Sequence, residues 1–67
     1  MVTWDDSYAI ALALREQRPN TDLYHVSLDM IYHWTLALNE FDDDPELAND
    51  MVLMAIYQEW FEEENTL

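Results

Sequence analysis

An all-α fold is what this sequence predicts, and three observations predict it. The chain has no glycine among its 67 residues, so hairpin turns that need positive φ would fall to Asn or Asp alone. Alternating apolar and polar runs of the kind that build half-buried strands are scarce. Apolar residues recur instead at three- and four-residue spacing behind residue types that cap helices. The expected architecture is a compact three-helix domain, one domain covering residues 1–67.

Each helix has its own local justification. Asp5, Asp6 and Ser7 are capping types, and YAIALALREQ is rich in good helix formers until Pro19 and Asn20 interrupt it; helix one is expected at about 7–17. Residues 20–26 read as a connector. Ser27 can then cap a segment in which Ile31, Trp34, Thr35, Leu38 and Phe41 share a face, placing helix two at about 28–40. Asp44 can cap and Pro45 can take the first helical position of a third segment, where Val52, Leu53, Ile56, Trp60 and Phe61 fall on one side. Helix three is expected at about 45–63.

Composition narrows the function classes. Apolar residues make up 51%, with three Trp, four Tyr and two Phe, enough for a small core and against a disordered acidic tail. Trp4, Trp34, Trp60, Phe41 and Tyr57 are the expected core, with Met30, Met51 and Met54 as filler. There is no cysteine, which removes disulfides, thiolate metal sites and a cysteine nucleophile and is compatible with a reducing cytoplasmic setting. No apolar run approaches the roughly 20 residues of a membrane span, and the N-terminus lacks the order of a secretory signal. Fifteen acids against two arginines give a formal charge of −13. That field repels nucleic acid and attracts cations and basic protein surfaces.

The charge is unevenly placed. The stretch NEFDDDPELAND, residues 39–50, carries Glu40, Asp42, Asp43, Asp44, Glu46 and Asp50 with no Lys or Arg. A helix start accounts for one or two of these, because carboxylates at the positive end of the dipole gain about 0.3–1 kcal/mol each and the effect fades within a turn. Repulsion grows with every further acid, so six in this window point to a binding function beside the capping one. On the residues alone both readings stay open. Carboxylate oxygens are hard donors suited to Mg²⁺, Ca²⁺, Mn²⁺ or iron, and three on one short loop could share a cation that keeps several waters. A calcium-loop register from Asp42 fails, because Leu47 stands where glycine is required and Leu53 where the terminal Glu is required.

Catalysis finds little support. His25 and His33 form no HExxH-type pair and read as ordinary surface or partly buried histidines. Ser7 has no histidine base near it in sequence and reads as a helix-start residue. Acid-base work by paired carboxyls needs one of them buried, whereas these sit in a solvated loop.

One resemblance covers nearly the whole chain without gaps. Trp4, Asp6 and Ser7 near the start, a central Trp34, Phe41 to Pro45 as FDDDP, Asn49 four beyond the proline, and Ala55, Ile56 and Trp60 late in the chain together resemble IscX, a family of small acidic accessory proteins of bacterial iron-sulfur cluster assembly. The resemblance implies a helical domain like a modified winged helix, an exposed acidic surface that binds iron (Fe²⁺ or Fe³⁺) weakly, and docking onto the cysteine desulfurase IscS as a regulator or iron adaptor. It implies no enzymatic activity. Asp42, Asp43 and Asp44 match the acidic motif itself, and Glu40 and Asp50 match acidic positions beside it, so these five are the implied metal ligands. With Glu46, at a position that need not be acidic in the family, they form the implied partner surface. The family's Asp-x-His-x-Trp pattern is replaced by Met30, Ile31, Tyr32, His33 and Trp34, and its scattered basic residues shrink to Arg15 and Arg18.

The expected function is therefore a cytoplasmic, non-enzymatic accessory protein that presents carboxylates to a basic patch on the desulfurase. Replacing Asp42, Asp43 and Asp44 by Asn is expected to weaken that contact and leave the fold nearly intact. The alternative from another class is a stand-alone weak divalent-cation buffer with no obligatory protein partner. A third reading makes the acids halophile-like solubilisers.

Overall fold

The computed structural model describes residues 1–65 and contains three α-helices: α1 (Ser7–Gln17), α2 (Leu28–Leu36) and α3 (Asp50–Glu64). The all-α expectation holds. Single 3₁₀ turns, Leu23–His25 and Pro45–Leu47, precede α2 and α3. The β structure among the described residues is one isolated parallel bridge between Val2 and Phe41. α1 packs most extensively on α3, with α2 set against the same helix.

α1 ends where the sequence says it should. Arg18 leaves helical geometry ahead of Pro19, whose ring disfavours the α region for the residue before it. At its start Asp6 caps no helical N–H; its Oδ2 accepts from the Thr3 main chain at 3.2 Å. Ile10, Ala11 and Leu14 form the buried side. α2 starts as expected, with the Ser27 hydroxyl accepting from the Met30 N–H at 3.1 Å.

Two boundaries differ from the sequence expectation. α2 stops at Leu36, about four residues early, through tighter bonds in which Leu38 N–H donates to Thr35 and Phe41 N–H to Leu38. The chain then turns to pair with the N-terminal segment: Val2 N–H donates to Glu40 and Asp42 N–H to Val2, both at 2.8 Å. Leu38 is buried and Phe41 packs against the core, so their helical spacing reflected burial reached by another route. The third helix begins at Asp50 rather than Pro45. Its cap is Asn49, whose Oδ1 accepts from the Val52 N–H at 2.9 Å, while Asp44 and Pro45 open the separate 3₁₀ turn.

Trp4, Ile10, Leu14, Ile31, Leu38, Leu53, Ile56 and Trp60 are central to the core. Trp34, Phe41 and Tyr57 pack against it half-buried. The methionine expectation needs correction: Met51 is 83% exposed and Met54 50%. Counted along α3, Met51 lies on the side opposite the Leu53–Ile56–Trp60 face and Met54 is turned well away from that face.

Candidate functional site

The acidic segment is held from beneath by the N-terminal residues. Trp4 is buried, with its ring parallel to Tyr32 at 6.1 Å between centroids and edge-on to Phe41 at 4.6 Å. From there its main-chain N–H donates to Asp43 Oδ2 at 3.0 Å, and its indole N–H donates to the Asp44 carbonyl at 2.8 Å. Asp43 Oδ1 also accepts from the Asp44 N–H at 2.7 Å, and Asp44 Oδ1 accepts from the Glu46 N–H at 2.9 Å. Together with the Val2–Phe41 bridge, these bonds fix the loop.

The three aspartates therefore differ. Asp42 is exposed and its carboxylate enters no hydrogen bond or ion pair among the described residues. Asp44 is exposed but spends one oxygen as the cap of the 3₁₀ turn. Asp43 is half-buried, with both oxygens bonded to main-chain N–H groups. The side chains of Glu40, Glu46 and Asp50 are exposed and, like Asp42, accept nothing among the described residues.

Among the described residues neither arginine and neither histidine pairs with this edge. Arg15 pairs with Glu63 at 3.8 Å and Glu64 at 3.4 Å, while the Arg18 guanidinium lies over the Trp34 ring, 4.1 Å from its centroid. His25 and His33 sit in local pairs with Asp22 (2.7 Å) and Asp29 (3.5 Å). The His25 hydrogen bond is the main reason that the Asp22 carboxyl is held below its usual range, followed by the Tyr24 N–H.

Among the described residues no three His, Asp or Glu side chains converge as a metal cage. The donor set at residues 40–50 fits a hard cation in its chemistry. The Trp4 bonds escaped sequence reasoning because they join residues about forty positions apart, and no local pattern encodes such a pair.

A model of the iron-sulphur cluster assembly family matches residues 2–65. The chain belongs to that family. A relative, an uncharacterized protein of Pseudomonas aeruginosa, is 38% identical over 60 residues, covering 90% of this chain and 91% of that one. The resemblance to IscX drawn from FDDDP and the three tryptophans thus extends to the family assignment. In this member of the IscX family, FDDDP is a loop bonded to the first tryptophan of the pattern, and Asn49 is the cap of the last helix.

Proposed function

We propose that this protein is a non-enzymatic, cytoplasmic accessory factor of iron-sulfur cluster assembly that docks its acidic edge on a basic patch of the cysteine desulfurase IscS and binds iron weakly there. The observation that carries the reading is the edge itself: Glu40, Asp42, Glu46 and Asp50 stand exposed, with no ion pair among the described residues, on a loop fixed to a buried tryptophan.

A fixed array of uncompensated charge accelerates encounter with a surface of opposite sign and sets the orientation of the complex. Asp42 and Asp44 are the principal contacts. Asp43 positions them, since its oxygens are occupied by N–H groups of Trp4 and Asp44. Iron, as cargo, would sit between carboxylates and retained waters, and its bridging or neutralising of the edge would tune sulfur delivery by the enzyme. The lack of a three-donor cage among the described residues disfavours the stand-alone buffer, whose site has to fill without help from a partner.

Titration with Fe²⁺, Mn²⁺ and Ca²⁺ followed by backbone amide signals tests the choice. The adaptor reading expects weak, poorly selective shifts confined to residues 40–50. Tight saturation by a single cation in the absence of desulfurase would overturn it in favour of the buffer.

A further inference from the structure

A second surface begins where the acidic edge ends. Met51, Met54, Gln58 and Phe61 follow one another at three- and four-residue spacing along α3. Met54, Tyr57, Gln58 and Phe61 line an open groove of about 230 Å³. Tyr24, 81% exposed, meets the Phe61 ring edge-on at 5.9 Å, and Leu47, 59% exposed, stands before the helix. Exposing two methionines and two further large apolar side chains in a chain this short leaves apolar area in water that no packing within the described residues recovers.

The rim of this stripe is acidic. Glu46 adjoins Leu47, Asp50 adjoins Met51, and Asp22 lies two residues before Tyr24. Both arginines are engaged elsewhere, with Glu63 and Glu64 and with Trp34. A second copy of the chain would bring the same acids against this rim and add another charge of −13, a repulsive match. The complementary occupant is apolar along its centre and cationic at its edges. Methionine side chains, unbranched and polarizable, adapt to varied apolar knobs.

We infer that the exposed Met51–Phe61 side of α3 is a docking face for a basic amphipathic helix of a partner protein, whose leucine- or phenylalanine-type residues enter the groove between Met54 and Phe61 while its lysines and arginines meet the acidic rim. The inference goes beyond the iron and desulfurase reading and does not rest on it.

The full chain is titrated with a synthetic helical Leu/Lys peptide that has one apolar face, and with a peptide of the same composition scrambled so that no face forms. Binding of the amphipathic peptide is expected to shift the amide signals of Met51, Met54, Gln58 and Phe61 and the methyl signals of the two methionines. The double variant Met51→Gln, Met54→Gln keeps charge and helix propensity and should bind it at least about tenfold more weakly. Asp42→Asn, Asp44→Asn should affect it far less. Equal affinity for the two peptides, unchanged affinity in the methionine variant, or sedimentation showing a dimer formed through this side would each overturn the proposal. Failure of the desulfurase contact alone would leave it standing.

Discussion

The indole N–H of Trp4 donates a 2.8 Å hydrogen bond to the main-chain carbonyl of Asp44, tying a buried core residue to an acidic loop forty positions away. Trp4→Phe keeps most of the apolar surface and removes this donor, leaving the Asp44 carbonyl to water. The expected cost is about 1–3 kcal/mol in denaturant unfolding, with faster hydrogen exchange across residues 42–47. Unchanged exchange there would show that the bond does not hold the loop.

Asp42 and Asp43 are chemically identical neighbours with different surroundings. An amide at position 43 has one oxygen where the carboxylate offers two acceptors, so Asp43→Asn turns an NH₂ toward the N–H of Trp4 or Asp44 and should cost about 1–3 kcal/mol. Asp42→Asn should change stability by less than about 0.5 kcal/mol. Urea unfolding of the two variants side by side measures the contrast. The triple Asn variant is accordingly a poor test of binding, because it mixes lost charge with a loosened loop.

Thr35 is fully buried and its hydroxyl has no hydrogen-bond partner among the described residues. Thr35→Val replaces the unpaired hydroxyl with a methyl group of similar size at nearly equal helix propensity. Stability should rise by about 1–2 kcal/mol, read as a higher denaturation midpoint. A fall would mean that the hydroxyl does find a partner.

The Asp22 carboxyl titrates below the usual carboxylate range, chiefly because of its 2.7 Å hydrogen bond with His25 and next because of the Tyr24 N–H. Since the folded value lies below the unfolded one, the stabilisation is present above the unfolded range and lost as pH falls through the folded value. His25→Ala should move the Asp22 carboxyl titration upward, as read by carbon NMR. An unmoved midpoint would assign the shift to the Tyr24 N–H alone.

The helices were legible because their burial repeats at helical spacing: Ile10 and Leu14, Ile31 and Thr35, Ile56 and Trp60 all face inward. The same spacing misled at Leu38 and Phe41, where a turn and a β-bridge deliver the burial that a longer helix would have given. Asp44-Pro45 is a sound helix start, yet it opens a 3₁₀ turn, since Asn49 offers a second cap five residues on. The acidic edge could be read from composition. The distinct position of Asp43 could not, because it depends on Trp4, which reaches the loop only through the folded chain.

The docking proposed for this protein on the desulfurase depends on an exposed carboxylate edge held in place by Trp4. Its most direct test is the calorimetric affinity of the native chain and of Asp42→Asn, Asp44→Asn for the cognate cysteine desulfurase at low and raised salt. Affinity is expected to fall as salt rises and to drop about tenfold or more in the double variant, with stability retained. An affinity unchanged by both the substitutions and the salt would contradict it.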